Sequence, residues 1–173
     1  MKILQLKISL LDIKPEIWRR IEVEEKSSFH ELHEIIQTVM GWDNAHLYSF
    51  EFNKNERISD EEAGNIIISE KLIKEKQKFK YIYDFGDDWE HAIVVEKISV
   101  KQAGKNYPLC TDGEMNCPPE DCGGAWSFRE LMKIVKNKNH PEYEERMEWL
   151  GDDYDPEYFN MKEVNLGLDE LFG

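Results

Sequence analysis

The hydrophobic positions at the start of the chain alternate with polar ones. From Leu4 to Leu10 every second residue is apolar, which is typical of a half-buried β-strand. Pro15 interrupts this run, and a second extended pattern follows from Ile17 to Val23. The two segments are close in sequence and therefore predict an antiparallel pair joined by a short loop.

A helical spacing replaces the alternation after the second strand. Residues 28–31 read Ser-Phe-His-Glu, which is a capping box, and Gly41 is typical of a helix end. The apolar residues between them recur every three or four positions, so one helix is predicted here. Residues 46–52 alternate again and predict a strand. Residues 53–78 are polar and predict a mobile connection with one short element.

The clearest hairpin pattern lies in the middle of the chain. If Gly86, Asp87 and Asp88 form a three-residue loop, the flanking aromatic residues face each other across two antiparallel strands. This register predicts the cross-strand pairs Tyr83–His91 and Phe85–Trp89, with all four side chains on one face of the sheet.

Helical patterns dominate the last third of the chain. A second capping box at residues 127–130 predicts a helix start, and Pro141 suits the first turn of a helix that stops at Gly151. Asp155–Pro156 predicts one further turn. The fold class is therefore predicted to be α+β, with a mainly antiparallel sheet, one crossing helix and a helical C-terminal third. A single domain is expected to span residues 1–173.

Charge is distributed unevenly along the chain. The net charge is −14, of which residues 1–80 contribute −2 and residues 81–173 contribute −12. An acidic surface repels nucleic-acid phosphates, so direct binding of duplex DNA is not expected, whereas a cation or a basic protein partner is compatible with it. No apolar run reaches the roughly 20 residues of a membrane span. Three cysteines without a signal-like N-terminus favour a reducing, cytoplasmic location.

All three cysteines of the chain fall within thirteen residues: Cys110, Cys117 and Cys122. Three thiolates suit zinc when a fourth ligand completes a tetrahedron, and His91 on the hairpin is the first candidate. His33, Asp112 and Asp121 are alternative fourth ligands. The spacing differs from the paired Cys-x2-Cys of common zinc modules, so two other interpretations stay open. The thiols are small buried groups in a rigid loop, or two of them form an oxidised pair.

Carboxylates surround these two motifs and suggest a second kind of site. Four carboxylates in or beside the predicted turn could hold a cation between them: Asp84, Asp87, Asp88 and Glu90. Glu120 and Asp121 join them if the cysteine loop folds back. Carboxylate oxygens are the ligands that hard cations prefer. The competing interpretation is that these carboxylates are solvated or cap backbone amides.

An aromatic residue and two guanidinium groups stand together at Trp18, Arg19 and Arg20. The arginines suit a phosphate or carboxylate ligand, or internal ion pairs with the acidic second half of the chain. Other tryptophans suit either the core or the wall of a concave pocket: Trp42, Trp89 and Trp126.

Several multi-residue motifs occur together in a fixed order. They are Pro15-Glu-Ile-Trp-Arg-Arg20, Leu32-His33, Met40-Gly-Trp42 with His46-Leu47, Tyr83-Asp-Phe-Gly-Asp87-Asp-Trp-Glu-His91, Cys117-Pro-Pro-Glu-Asp-Cys-Gly-Gly124 and Asp155-Pro-Glu-Tyr-Phe159. In this order they resemble the plasmid pRiA4b ORF-3-like family over nearly the whole chain. The resemblance implies a compact α+β domain that is found in bacteria and archaea and is carried by some plasmids and insertion elements. It implies no established activity.

Two functional hypotheses follow. The first is a non-catalytic binding or regulatory module, accessory to plasmids or other mobile elements, because no nucleophile–base set is recognisable. The alternative is a metal-assisted hydrolase or nuclease whose site is built around the Asp84–His91 hairpin and the Cys110–Cys122 loop. An enzyme of this kind is expected to bring His91 and at least two carboxylates, such as Asp84 and Asp87, to one open cleft.

Overall fold

One seven-stranded antiparallel sheet organises the molecule, and the computed structural model describes all 173 residues. The strands are β1 (Lys2–Leu10), β2 (Trp18–Glu24), β3 (Tyr48–Asn53), β4 (Glu56–Ser59), β5 (Lys78–Tyr83), β6 (Trp89–Val100) and β7 (Leu109–Glu114). Their order across the sheet is β4-β3-β5-β6-β1-β2-β7, and every neighbouring pair is antiparallel. The predicted pairing of the first two strands is confirmed.

Five helices accompany the sheet: α1 (Phe29–Met40), α2 (Asp60–Ala63), α3 (Gly124–Val135), α4 (Tyr143–Leu150) and α5 (Met161–Phe172). Helix α1 packs against the sheet, α5 contacts both α1 and β7, and α3 pairs with α4. This arrangement confirms the α+β fold class. No helix combines the length and the apolar character that a membrane crossing requires.

Helix α1 forms where its local sequence predicts it. The hydroxyl of Ser28 accepts a hydrogen bond from the N–H of Glu31, and the Glu31 carboxylate accepts one from the N–H of Ser28. Gly41 ends the helix in the left-handed conformation, with a φ of 98°. The apolar stripe is fully buried, and each such Leu, Ile or Phe side chain contributes about 1.5–3 kcal/mol to stability.

The β5–β6 hairpin has the predicted faces but a different register. Tyr83 pairs with Trp89 and Tyr81 pairs with His91, so the predicted register is wrong by two residues. A shift by an even number keeps every side chain on its face. Tyr83, Trp89 and His91 accordingly share one face and are fully buried. Phe85 lies outside the strands and is half exposed.

Asp84 is the physical reason for the longer turn. It adopts a left-handed conformation with a φ of 60°, which ends β5 at Tyr83. Its Oδ1 accepts hydrogen bonds from the N–H groups of Gly86 at 3.0 Å and Asp87 at 3.3 Å. These side chain–backbone bonds compete with continuation of the strand, so the connection spans residues 84–88.

The helical third differs from its prediction in detail. Helix α3 begins at Gly124, three residues before the predicted capping box, and its N-cap is Gly123. Helix α4 stops at Gly151 as predicted, and Asp155–Pro156 opens a single turn closed by a hydrogen bond from the N–H of Tyr158 to the carbonyl of Asp155 at 3.1 Å. Residues 53–78 hold β4, α2 and a short 3-10 turn, where one element was expected.

Candidate metal centre

Three connections converge at one end of the sheet. They are the loop between α1 and β3, the turn between β5 and β6, and the segment that precedes α3. They bring four side chains together, and one potential ligand atom of each lies within 4.8 Å of the others: His46, Asp84, Glu120 and Asp121. His46, Asp84 and Glu120 are each more than thirty residues apart in sequence. The topology of the sheet therefore brings them together.

The distances within the cluster suit a single cation. The Nε2 atom of His46 lies 3.0 Å from Asp121 Oδ1, 3.5 Å from Asp84 Oδ2 and 3.9 Å from Glu120 Oε2. Ligand atoms held about 2.1 Å from one ion are separated from each other by about 3–4 Å. The four side chains therefore offer a nitrogen and three oxygens at ligand spacing.

Glu120 has one occupied oxygen and one free oxygen. Its Oε1 accepts hydrogen bonds from the hydroxyl of Tyr83 at 2.8 Å and from the N–H of Asp43 at 2.9 Å. Its Oε2 is buried and has no hydrogen-bond partner. Only two other buried side-chain atoms lack a partner, the Ser49 hydroxyl and the Trp89 indole nitrogen, and neither carries a charge. A buried carboxylate oxygen without a partner is strongly unfavourable unless a cation satisfies it.

Asp84 shows the same division of its two oxygens. Its Oδ1 accepts the two turn N–H groups, whereas its Oδ2 faces His46. Its own N–H donates to the carbonyl of Leu47 at 2.9 Å, which ties the turn to the α1–β3 loop. Outer contacts of this kind orient ligand side chains and strengthen metal binding.

Asp87 and two glycines lock the third connection in place. The Asp87 Oδ2 atom accepts a hydrogen bond from the N–H of Gly123 at 3.1 Å. Gly124 has a φ of 86°, and a Cβ added there would lie 2.5 Å from the carbonyl oxygen of Asp87. Only glycine permits this approach, so the Gly-Gly pair holds Glu120 and Asp121 against the turn. Asp87 acts as a positioning residue for the cluster.

The electrostatics of the cluster favour positive charge. Partial desolvation acts to lower the pKa of His46, but the surrounding carboxylates Asp84, Asp121 and Glu120 raise it overall. Burial and the bond to Glu120 raise the pKa of Tyr83, so this hydroxyl stays protonated and donates. The side chains of His46 and Asp121 are 32% and 72% exposed, so the cluster is open to solvent on one side.

His91 lies elsewhere, although it was the first candidate ligand. It is fully buried, and its Nδ1 is 2.9 Å from the carbonyl oxygen of Trp89. Its Nε2 accepts a hydrogen bond from the indole N–H of Trp42 at 3.2 Å. Desolvation lowers the pKa of His91 to about 4, so the ring is neutral at physiological pH. Both nitrogens are used, and the ring faces no cleft.

The cysteines also remain apart from any ligand set. Cys110 lies on β7 and is buried, Cys117 is buried in the loop, and Cys122 is half-buried, all as free thiols. None of them belongs to a group of three or more converging ligand atoms. Burial raises the pKa of Cys110 to about 11 and holds the pKa of Cys117 well above its usual range, so both are protonated. The structure therefore does not bring the expected Cys–His set together.

The three alternative fourth ligands lie in different parts of the structure. His33 is buried and contacts the hydroxyl of Tyr81 and the side chain of Asn44. Asp112 forms an ion pair with Arg20. Asp121 alone belongs to the metal centre.

The arginines of β2 are engaged within the protein. Arg20 pairs with Glu96 at 2.6 Å. Arg19 is buried without a carboxylate partner, and it donates to the backbone carbonyls of Val39 at 2.6 Å and Trp18 at 2.7 Å. Its guanidinium also lies 4.4 Å from the ring centroid of Phe159. These residues form no part of the metal centre.

Two of the predicted tryptophans lie beneath the centre. Trp42 and Trp89 are buried, with ring centroids 5.2 Å apart, and Trp42 also lies 5.4 Å from the ring of Tyr83. They form the floor that supports Tyr83. Trp126, in contrast, is 65% exposed on α3.

Three of the four candidate ligands were predicted from the sequence, namely Asp84, Glu120 and Asp121, whereas His46 was missed. The alternation of residues 46–52 placed this histidine on a strand, but β3 begins only at Tyr48. The sequence does contain one signal for His46, because this histidine lies at the end of a polar loop directly before a strand. Strand order determines which carboxylates it contacts, and local sequence does not specify that order.

Fold and site together define an α+β protein with a candidate metal centre at the loop end of an antiparallel sheet. The chain belongs to the plasmid pRiA4b ORF-3-like family, whose model matches residues 2–163. It is similar to the uncharacterized protein y4hQ of Sinorhizobium fredii, with 34% identity over 179 residues that cover 98% of this chain and 92% of the relative. The crystal structure of MM3350, a protein of unknown function from Methanosarcina mazei Go1, shares 40% identity and a TM-score of 0.88. That match covers 94% of this chain and 97% of MM3350.

Proposed function

We propose that the protein is a non-catalytic binding module whose ligand is a divalent transition-metal ion. His46, Asp84, Glu120 and Asp121 supply the ligand atoms. The observation that carries this proposal is the free, buried Oε2 of Glu120 beside the oxygen of Asp84 and the nitrogen of His46. Carboxylates that repel each other at this spacing are stabilised by a shared cation.

The ligand types favour a borderline ion. One imidazole nitrogen and three carboxylate oxygens suit Mn²⁺ or Zn²⁺, whereas the thiols that soft ions prefer are protonated and lie apart. Calcium requires about six to eight oxygen ligands, and Mg²⁺ retains much of its water. We therefore expect tighter binding of Zn²⁺ and Mn²⁺ than of Ca²⁺ and Mg²⁺.

Calorimetric titration of chelator-treated protein with each ion tests this proposal. The isosteric change Glu120→Gln keeps an oxygen that accepts from Tyr83 but replaces the free Oε2 with an amide group. We expect this variant to bind Zn²⁺ and Mn²⁺ at least about 100-fold more weakly than the wild type, since outer-shell changes alone cost about 10–100-fold. Glu61→Gln removes an exposed carboxylate outside the cluster and is the matched control. Equal affinities of the two variants contradict the proposal.

A metal-assisted hydrolase is the second candidate, and the exposure of His46 and Asp121 favours it. An ion at this site would keep an open position, where bound water becomes a nucleophile at neutral pH. Of the residues expected in such an enzyme, Asp84 lies in the cluster, Asp87 positions it and His91 lies outside it in the core. Metal-dependent turnover of phosphate esters that is lost in Glu120→Gln would favour the enzyme over the binding module.

Further expectations concern partners and cellular role. The −12 net charge of residues 81–173 supports a basic protein partner and opposes duplex DNA binding. An accessory role in mobile elements is supported by the name of the family, which refers to a plasmid reading frame. Three free thiols support a reducing cytoplasm. A salt-dependent, submicromolar affinity for duplex DNA would contradict the first of these expectations.

A further inference from the structure

A cavity of about 610 Å³ lies next to the metal centre, between α3 and α4. Its lining includes Asp121 of the cluster, so the open side of the centre and the cavity share a wall. The volume falls within the range of small-molecule sites, about 300–1,000 Å³. A ligand in the cavity therefore lies against one side chain of the candidate centre.

Two exposed tryptophans line this cavity. Trp126 on α3 is 65% exposed and Trp149 on α4 is 50% exposed, whereas Trp42 and Trp89 are buried. A tryptophan normally buries about 150–250 Å² of surface, so two exposed rings at one cavity are costly without a ligand. Flat aromatic rings are the ligands that stack on such surfaces.

The cavity wall also carries accessible cations. Lys133 pairs with Glu130 at 2.7 Å and Arg146 pairs with Glu142 at 3.1 Å, each within one helix turn of its partner. These ion pairs are partly or largely exposed, and such pairs contribute only about 0–1 kcal/mol, so they rearrange readily for an anion. Apart from Asp121, whose charge a bound ion would neutralise, the charged side chains of the wall form these two ion pairs and carry no net charge. In a chain of net charge −14, this part of the wall repels a small anion less than the rest of the surface does.

We propose that the cavity binds a nucleoside monophosphate, an inference that rests on the proposed metal site. A phosphate oxygen occupies the open position of the ion beside Asp121, and the base stacks on Trp126 or Trp149. Lys133 and Arg146 offset the remaining phosphate charge. A mononucleotide fits the volume and the two charge-balanced ion pairs of the wall, whereas the acidic surface around it excludes a long polyanion.

Calorimetry on the Mn²⁺-loaded full-length protein tests this inference with the four common nucleoside 5′-monophosphates, each measured singly. Adenosine, which lacks the phosphate, and inorganic phosphate, which lacks the nucleoside, are measured as the partial ligands. We expect at least one monophosphate to bind tenfold or more tightly than either partial ligand, and chelation of Mn²⁺ to weaken it by a similar factor. Base stacking is worth about 1–3 kcal/mol, so Trp126→Ala or Trp149→Ala should weaken binding by about 5- to 150-fold. Trp126→Phe should retain most of the affinity.

Mn²⁺ affinity, measured directly by electron paramagnetic resonance, separates the two proposals. If the wild type fails to bind Mn²⁺, the metal site itself is refuted. If Mn²⁺ binds but none of the four monophosphates does, or if binding is the same in chelator, only the nucleotide inference is overturned. Tyr158→Ala removes an exposed aromatic ring outside the cavity and should change neither affinity. Unchanged nucleotide binding in both tryptophan-to-alanine variants also overturns the inference.

Discussion

His46 and His91 adjoin the same group of aromatic side chains but have opposite environments. The ring of His46 lies 5.9 Å from Tyr83, and the ring of His91 lies 5.1 Å from Tyr81 on the same strand. His91 is fully buried, and both of its nitrogens have protein partners. His46 is partly exposed and faces three carboxylates. A satisfied polar residue in a core stabilises one fold. In the His46 cluster, by contrast, the buried Oε2 of Glu120 has no hydrogen-bond partner, which supports the proposed cation.

The same contrast extends to the residues around the two histidines. Near His91 the chain places Trp42, Tyr81 and Trp89, which pack without net charge. Near His46 it places carboxylates whose mutual repulsion lowers the stability of the metal-free protein. Proteins accept such a loss of stability where function requires it. The comparison therefore supports a structural role for the His91 region and the proposed binding role for the His46 region.

Alanine substitutions of the two histidines should change the free energy of unfolding by different amounts. His91→Ala removes a fully buried ring and leaves the Trp42 N–H without an acceptor, so we expect a loss of about 3–5 kcal/mol in the free energy of unfolding. His46→Ala should cost less, about 1 kcal/mol or below, because this ring is partly exposed and its ion pairs are weakened by solvent. Urea denaturation of both metal-free variants measures the difference. Equal losses in the two variants would remove the distinction.

Acid should act on the His91 region through proton linkage. Desolvation lowers the pKa of His91 from 6.5 to about 4, so between these values the unfolded chain binds more protons than the folded one. Stability therefore falls as the pH drops from about 6.5 to 4, and His91 adds no further loss below that range. At 1.36 kcal/mol per pKa unit, this residue alone contributes about 3 kcal/mol to the decrease. His33 is buried with a pKa of about 4 and adds a decrease of the same sign.

Unfolding free energies of the wild type and of His91→Phe across this pH range measure the contribution. The phenylalanine variant is less stable at neutral pH but should show a flatter acid dependence, because it lacks the titrating group. Direct titration of the His91 ring protons by NMR gives the folded pKa independently. A ring that titrates near 6.5 would show that the His91 site is accessible to water.

Metal should act only on the His46 region. An ion present at 100 times its Kd stabilises the folded protein by about 2.7 kcal/mol. For a chain of this size that corresponds to a rise of about 5–10 °C in the melting temperature. Glu120→Gln should lose this rise, and its metal-free form should be as stable as the wild type or more stable, since one carboxylate charge is gone. His91→Ala should keep the metal-induced rise despite its lower starting stability.

Features that depend on neighbouring residues were predicted from the sequence, whereas features that depend on distant contacts were not. Helix α1 was predicted correctly because its cap, apolar stripe and Gly41 all lie within fourteen residues. The faces of the β5–β6 hairpin were predicted because alternation alone determines them. Its register was not, because the hydrogen bonds of Asp84 lengthen the turn.

The candidate site shows the same limit more sharply. Asp84, Glu120 and Asp121 were recognised as candidate cation ligands because carboxylates near tight turns suit that role. His46 was missed and His91 was chosen in its place, since both histidines follow aromatic strand patterns and sequence distance favoured His91. The order of strands β3, β5 and β6 brings His46 to the turn, and that order follows from long-range packing.

The smallest predicted effect concerns Cys117 and Cys122, which flank Glu120 and Asp121 in the sequence but do not belong to the cluster. Cys117→Ser places a hydroxyl in a buried apolar position, so we expect a loss of about 1–3 kcal/mol in the free energy of unfolding. Cys122→Ser should cost less, because Cys122 is only half-buried. Urea denaturation with and without chelator, together with the metal content of each variant, measures these effects. Since neither thiol is a ligand in the structure, the loss should be the same with and without chelator. Loss of bound metal in Cys117→Ser, with metal retained in Glu120→Gln, would instead place the ion on the thiols and reverse the assignment of the two regions.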